Sequence, residues 1–252
     1  MTATHVAVVL LSLLSCVTTA LGVVLALSLR ENARALAAGI GFSTGIMVLI
    51  SLRELLPESV ATLGIGGALA GASLGAALIW AAHLIIPHAH LVPERSGVTD
   101  AARTTSTYLV IFGLILHDVP EGFAMANAYI ASPGLGVLIA LAIALHNLPE
   151  EFAMAVPAVT LRSRRFLFGA ALLSALAEPV GAIIGLAAVD AAPALNAGFL
   201  AFAAGAMLFV SIHELIPMAR RYRHTGLFLA GIGLAALVYQ LLARAILGWA
   251  AP

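Results

Sequence analysis

Long apolar segments joined by short polar connections occupy almost the whole chain. A helix needs about 20 apolar residues to cross a bilayer core, and only 10% of these residues are charged, against about 25% in soluble domains. The sequence therefore predicts an all-α integral membrane protein, a single transmembrane domain over residues 1–252. We place eight transmembrane helices near 6–29, 36–57, 64–86, 106–130, 134–160, 166–189, 194–217 and 225–249.

The positions of the arginines predict how these helices are oriented. All 12 basic residues are arginine, and the absence of lysine excludes a Walker A phosphate loop. The net charge is zero, so nothing indicates a nucleic-acid or nucleotide partner. By the positive-inside rule the odd-numbered connections are cytoplasmic and both termini extracytoplasmic, as in a multi-pass protein of the cell (inner) membrane. Those connections hold Arg30, Arg34, Arg95, Arg103, Arg162, Arg164, Arg165, Arg220, Arg221 and Arg223.

A polar motif occurs twice in the middle of the chain. One copy runs from His117 to Glu121 and the other from His146 to Glu150. In each, His and Glu are four residues apart and so share one face of a helix. A proline before each Glu removes a backbone donor and leaves a carbonyl one turn back without its usual partner. We therefore expect proline-opened turns that line a path, because unsatisfied polar groups are costly in lipid.

Ionisable residues within a membrane are candidates for function. Closely spaced buried carboxylates cannot all be ionised without a cation. Imidazoles mixed with carboxylates suit Zn²⁺, Fe²⁺, Mn²⁺, Co²⁺ or Cd²⁺ better than Cu⁺. The metal would be a transported substrate, and no cofactor is predicted. The candidate ligands near mid-membrane are His117, Asp118, Glu121, His146, Asn147, Glu150 and Glu178, with Glu151 adjacent.

Functions other than metal transport could also use these residues. A structural polar network, a proton relay and a metal-sensing receptor all use similar side chains. A membrane di-metal oxidoreductase is the alternative from another class, but di-iron sites use Glu-x-x-His, whereas this chain has His-x-x-x-Glu. His213 and Glu214 begin a His-Glu-x-x-His protease motif, and Pro217 stands where its second histidine would be. We therefore predict no enzyme.

A second repeat indicates internal symmetry. Residues 45–57 and 205–217 share Gly, Met, Ser, Glu, Leu and Pro at matching positions. In the predicted topology these segments run in opposite directions, which is typical of inverted-repeat transporters with a site at the midplane. Glu54 would then lie near the entrance and His213 with Glu214 near the exit. His88 and His90 in the cytoplasmic connection could bind metal weakly or belong to an ordinary polar loop.

Gly67, Gly71 and Gly75 recur every fourth residue in the third segment. Such a face allows helices to approach closely, either within the subunit or between the subunits of a homodimer. The sequence does not distinguish these two arrangements.

Together these motifs resemble the ZIP (Zrt/Irt-like) family of divalent-metal transporters, particularly its prokaryotic zinc-uptake branch. The family pattern has His-Asn-x-Pro-Glu-Gly in the fourth helix, a related motif in the fifth and Glu-Pro in the sixth. The resemblance covers the whole chain and implies uptake of divalent metal, chiefly zinc, into the cytoplasm.

The resemblance also implies a binuclear centre. One metal would be held by His117, Glu121, His146 and Glu150. The second would be held by Asp118, Asn147 and Glu178, with both glutamates of the first set as bridges. This chain departs from the pattern at Asp118, where asparagine is usual, and at Glu151, where glycine is usual. Glu151 could be an extra ligand or could pair with an arginine.

Overall fold

The computed structural model describes residues 2–29, 32–85, 117–160 and 164–248, which are almost entirely helical. Two five-residue π-helical turns, π1 and π2, interrupt otherwise α-helical segments. In chain order the elements are α1 (Ala3–Ser12), α2 (Leu14–Leu29), α3 (Ala33–Ile50), π1 (Ser51–Leu55), α4 (Leu56–Ile85), α5 (117–131), α6 (Pro133–Thr160), α7 (Arg164–Ala191), a 3₁₀ turn (Pro193–Leu195), α8 (Asn196–Val210), π2 (Ser211–Leu215), α9 (Ile216–Arg221) and α10 (Thr225–Leu247).

Six helical segments in the described part of the chain are long and apolar enough to cross a membrane. One of them, Ala33–Leu84, has 52 residues, which at about 1.5 Å per residue is far longer than a bilayer core. Gly64 divides it, because its backbone has φ 69° and ψ 170°, outside the helical region. The positive φ favours glycine. The predicted second helix therefore continues past its expected end at residue 57 to the break at Gly64.

Each π turn comes directly before a proline, Pro57 or Pro217, through which the helical segment continues. A proline cannot donate to the carbonyl four residues earlier. In π1 the Leu56 amide donates to the Ser51 carbonyl, five residues back, and in π2 the Ile216 amide donates to the Ser211 carbonyl in the same way. The wider turn accommodates the proline that follows. The two sequence repeats therefore fold into the same local structure.

Close contacts show the relative directions of the helices. Gly41 lies against Phe228 and Gly45 against Ile232, so α3 and α10 are parallel. The same contact pattern shows that α4 beyond Gly64 is parallel to α8, and α5 to α7. By contrast, α3 is antiparallel to α6, because Gly39 lies against Pro149 whereas Ser43 lies against His146.

The two parallel pairs formed by α3 with α10 and by α8 with α4 have the same register. In the first pair, Gly231 approaches residues 38 and 42 of α3. In the second, Gly71 approaches residues 198 and 202 of α8. Residues 38 and 42 precede residues 198 and 202 by the same 160 positions that separate the two copies of the sequence repeat, although they lie just before it. The repeats thus share helix packing as well as local conformation.

Glycines bring α4 and α8 together within the chain. A side chain at Gly75 would collide with the backbone of Phe202, and one at Gly71 would meet Ala201. Gly67, the third member of the predicted glycine face, lies against Leu63 of its own segment. At Gly71 and Gly75 the face therefore serves packing inside the subunit.

The candidate metal ligands are buried, whereas many large apolar side chains are exposed on the outside of the helices. Leu74 is 67% exposed and Leu10 is 62% exposed, whereas His117, Glu121 and His146 are at most 1% exposed. This is the reverse of the usual distribution in a soluble protein. It suits lipid outside and a polar path within the helices.

Candidate metal centre

Three consecutive helices carry most of the predicted ligands. Helix α5 holds His117, Asp118 and Glu121, α6 holds His146 through Glu151, and α7 holds Glu178. Packing of Gly122 directly on the backbone of Glu178 brings α5 and α7 into contact at the level of the ligands. All eight of the predicted mid-membrane residues, including Glu151, are buried.

Glu121, His146 and Glu150 converge on one point. Each offers a ligand atom within 4.8 Å of the other two, and Nε2 of His146 lies 3.1 Å from Oε1 of Glu121. These three side chains come from two helices and form an N/O set of the kind that binds zinc and other first-row divalent metals.

The backbone of α6 fixes the orientation of His146. Its Nδ1 lies 3.0 Å from the carbonyl oxygen of Ala142, to which an Nδ1–H would donate. That hydrogen bond leaves Nε2 as the lone-pair nitrogen, facing Glu121, as in metal sites whose imidazoles are held through the other nitrogen. Ser43 of α3 donates to the carbonyl of His146 at 2.7 Å. The ligand is therefore held by two neighbouring elements.

A second cluster joins α4, α5 and π2. His83, His117 and Glu214 also offer ligand atoms within 4.8 Å of one another. Oε1 of Glu214 is hydrogen-bonded to Nε2 of His83 and lies 2.7 Å from Nε2 of His117. Nδ1 of His117 lies 3.9 Å from Oε1 of Glu150. His117 thus connects the two clusters through its opposite ring nitrogens.

The remaining predicted ligands form hydrogen-bonded pairs beside the first cluster. Asn147 donates to Glu178. Ser174 of α7 lies 2.7 Å from Oδ2 of Asp118 and also hydrogen-bonds to Glu151. Thr19 of α2 also donates to Glu151, at 3.0 Å, so the hydrogen-bond partners of Glu151 in the described part of the chain are hydroxyl groups and not an arginine.

Several buried polar atoms of the site have no hydrogen-bond partner among the described residues. Buried polar groups are normally satisfied, so such a concentration needs an explanation. Metal coordination would satisfy these atoms, because each oxygen has a lone pair and Nδ1 of His117 has one when the ring proton is on Nε2. They are His117 Nδ1, Glu121 Oε2, Asn147 Oδ1, both carboxylate oxygens of Glu150 and Glu151 Oε2.

The prolines of the central motif do not open the helices as expected. Residues 117–131 are continuously helical through Pro120, and α6 and α7 continue through Pro149 and Pro179. The helices are therefore not broken at these prolines, although each proline still lacks the N–H that would bond the carbonyl four residues back. The π turns lie instead in π1 and π2, directly before Leu56-Pro57 and Ile216-Pro217.

The predicted pathway residues lie in different surroundings. Glu54 is half-buried and accepts a hydrogen bond from Tyr239 of α10. Glu214 belongs to the second cluster, whereas its neighbour His213 is exposed and stacks on Phe209, with ring centroids 4.0 Å apart. The structure therefore does not bring His213 and Glu214 together as one ligand pair. His88 and His90 lie outside the described residues.

Several polar residues that contact the site lie outside the sequence motifs that predict it. Ser174 precedes Glu178 by four residues and so shares a helical face with it. This spacing is enough to predict Ser174 as a residue of the site. His83 lies at the end of an apolar segment, where no repeated motif marks it as a ligand. Thr19 and Ser43 reach the site from distant helices, and no local pattern distinguishes them from other small polar residues.

An apolar exterior, long helices and a buried set of metal ligands define a multi-pass helical membrane protein. The family comparison matches the ZIP Zinc transporter family over residues 83–242. This chain belongs to that family.

Similar proteins extend this match over nearly the whole chain. A zinc transporter ZupT from Chlorobium phaeovibrioides is 36% identical over 255 residues, which cover 92% of this chain and 96% of that protein. A zinc transporter ZupT from Stenotrophomonas maltophilia is 37% identical, with 87% and 89% covered. A zinc transporter GufA from Myxococcus xanthus is 39% identical over 60% of each chain.

Proposed function

We propose that this protein transports divalent transition metals, chiefly zinc, into the cytoplasm. Membership of the ZIP family and the similarity to proteins named zinc transporters support the reaction. The observation that carries the proposal is the convergence of Glu121, His146 and Glu150, with buried oxygen atoms that lack partners in the described part of the chain. The N/O ligand set admits Fe²⁺, Mn²⁺, Co²⁺ and Cd²⁺ as further substrates.

The centre is proposed to hold two metal ions. The first would be bound by His117 and His146, and Glu121 and Glu150 would bridge to the second. Asp118, Asn147 and Glu178 would complete the second position. The unpartnered oxygen of Asn147 and the hydrogen bond between its amide and Glu178 support this grouping, because a shared contact keeps both side chains at one place.

The second cluster provides a route away from the centre. His117 is within 3.9 Å of Glu150 on one side and 2.7 Å of Glu214 on the other. A metal leaving Glu150 could exchange onto Glu214 and then His83 without passing through an apolar layer. Ligand exchange of this kind avoids complete dehydration of the ion in a low-dielectric path. His213 is not required for this route.

We propose that the chain crosses the membrane eight times, as one transmembrane domain with both termini outside the cytoplasm. The break at Gly64 supplies separate second and third crossings. The observed parallel and antiparallel contacts agree with alternating directions of eight segments. The matching contacts of α3 with α10 and of α8 with α4 support an inverted repeat. The inner membrane is the proposed location.

Zinc uptake into proteoliposomes tests the proposal. The wild-type protein should accumulate zinc without oxygen or a reductant, which a di-metal oxidoreductase would need for turnover. Glu121→Gln should abolish accumulation, because it removes a buried anionic ligand while keeping side-chain size. Glu58→Gln is the matched control, since Glu58 is exposed. Full uptake by Glu121→Gln would contradict the proposed centre.

Residue labelling tests the topology independently. Ser132 lies between α5 and α6, and His224 lies between α9 and α10. In a Cys16→Ser background, cysteines at these two positions should react with a membrane-impermeant reagent from opposite sides. Labelling of both from the same side would contradict the eight-crossing arrangement.

A further inference from the structure

Helix α2 contacts α7 at the carbonyl group that Pro179 leaves without its usual helical partner. Proline has no N–H, so the carbonyl of Ala175, four residues earlier, cannot receive the regular bond within α7. The thiol of Cys16 donates to that carbonyl oxygen instead, with Sγ 3.3 Å away. The hydroxyl of Ser15 lies 3.4 Å from the same oxygen, but it has one hydrogen and lies 2.7 Å from the carbonyl of Ser12. Cys16 is therefore the principal donor and Ser15 the secondary one.

The same proline constrains the backbone of Glu178, a proposed ligand of the second metal ion. A proline ring clashes with the residue before it and disfavours the helical conformation there. Glu178 is nevertheless within α7 and is buried, so contacts with neighbouring helices must hold it in place. Helix α5 supplies one contact, because Gly122 packs directly on the carbonyl of Glu178. Helix α2 supplies another, because Cys16 holds the carbonyl of the preceding turn.

Helix α2 also contacts α6, the other helix that carries ligands beside this position. One turn after Ser15, the hydroxyl of Thr19 donates to Glu151 at 3.0 Å. Gly22 lies on the same side of α2, and a side chain there would collide with Cβ of Glu151. The helix itself contains no histidine or acidic residue. It therefore contacts both ligand-bearing helices without offering a carboxylate or imidazole ligand of its own.

We propose that α2 positions the metal centre and that Cys16 is the residue through which it holds α7. The thiol satisfies the carbonyl freed by Pro179 and so keeps the turn that carries Glu178 in the geometry that metal binding requires. A thiol is a weak donor, but leaving a buried acceptor unpaired costs more than the bond itself contributes. Without the donor, α7 is free to bend at the proline. The inference rests on the proposed function, because Cys16 acts through Glu178 and is not a ligand.

A double-mutant cycle on zinc binding tests this role in the purified full-length protein in lipid nanodiscs. Replacing both donors, by Ser15→Ala with Cys16→Ala, should weaken zinc binding by about ten-fold, the lower end for groups that support a metal site. Pro179→Ala supplies the missing N–H to the carbonyl of Ala175. In that background the same two replacements should change the affinity by less than about two-fold. Ser28→Ala is the control, because it removes a hydroxyl that bonds within α2.

Infrared spectroscopy of the thiol provides a readout that a change in packing alone would not produce. The chain has one cysteine, so its S–H stretching band belongs to Cys16. Pro179→Ala should shift this band to higher frequency, because the backbone N–H then competes for the carbonyl and the thiol bond weakens. Ser15→Ala with Cys16→Ser keeps one hydroxyl donor and should bind zinc more tightly than the variant with two alanines.

The outcomes separate this inference from the proposed function. Wild-type affinity in the variant with two alanines, an equal loss with and without Pro179→Ala, or an unchanged S–H band would each overturn the positioning role. If Pro179→Ala itself binds no zinc, the comparison of Cys16→Ser with Cys16→Ala decides, and equal affinities would overturn it. A wild-type protein that binds no zinc would refute the proposed metal centre, whereas zinc binding unaffected by these replacements would refute only the role of α2.

Discussion

Replacing Glu150 with glutamine should weaken zinc binding by about 100-fold or more without destabilising the metal-free protein. Both carboxylate oxygens of Glu150 are buried and lack a hydrogen-bond partner in the described part of the chain. Its ligand atom lies within 4.8 Å of those of Glu121 and His146. At that separation two like charges repel by roughly 3 kcal/mol at an effective dielectric constant of about 20. Glutamine removes this repulsion along with the ligand.

The size of the effect follows from linkage. Zinc at about one hundred times its dissociation constant stabilises the folded protein by about 2.7 kcal/mol. Loss of residues that merely support a metal site weakens binding by about 10–100-fold, so loss of a direct ligand should cost about 100-fold or more. The zinc-dependent gain then falls to about 0.4 kcal/mol at the same zinc concentration. At roughly 2–4 °C per kcal/mol, zinc should raise the Tm of the wild type by roughly 5–11 °C and the Tm of Glu150→Gln by about 1–2 °C.

Thermal unfolding in nanodiscs, with and without zinc, measures both parts of the prediction. The metal-free Tm of Glu150→Gln should equal or exceed that of the wild type, whereas its response to zinc should nearly vanish. Glu58→Gln, on the exposed side of α4, should respond as the wild type does. An unchanged zinc response in Glu150→Gln would refute the ligand role. A lower metal-free Tm would indicate that Glu150 serves a structural polar network.

Three further predictions concern the packing, the exit route and the second metal position. Gly75→Leu should destabilise the fold by about 1–3 kcal/mol, measured as a lower Tm, because it drives side-chain atoms into α8. Gly169→Leu is the control and should leave Tm unchanged, because open space surrounds Gly169. Glu214→Gln should slow zinc uptake by about ten-fold or more while zinc binding is retained, whereas His213→Ala should transport normally; the reverse order would contradict the exit route. Asp118→Asn should weaken zinc binding and speed its release in metal-competition assays, because it removes one negative charge; unchanged release would contradict its role.

Much of the fold is already determined by local sequence. The apolar segments specify membrane helices because backbone groups in lipid must bond within their own segment. The spacing of His117 with Glu121, and of His146 with Glu150, placed each pair on one helical face before any tertiary contact was known. The shared pattern at residues 45–57 and 205–217 predicted related structures, and both contain the same π turn. These features depend on residues within a few turns of one another.

Long-range packing decided what sequence spacing could not. Adjacent residues in the Ser211–Leu215 turn can face a buried cluster or the exterior. The position of π2 against its neighbours decides that Glu214 is buried and His213 exposed. Likewise, the sequence left open whether Glu151 contacts an arginine or a metal. The packing of α2 and α7 places Thr19 and Ser174 beside it.

The sequence by itself determined that this chain forms apolar helices with histidine and carboxylate groups in the membrane, because hydropathy and helical periodicity are local properties. Only the tertiary structure decided which of those groups share a site. Residues as far apart as His83 and Glu214 meet because glycines such as Gly75 allow α4 and α8 to approach closely.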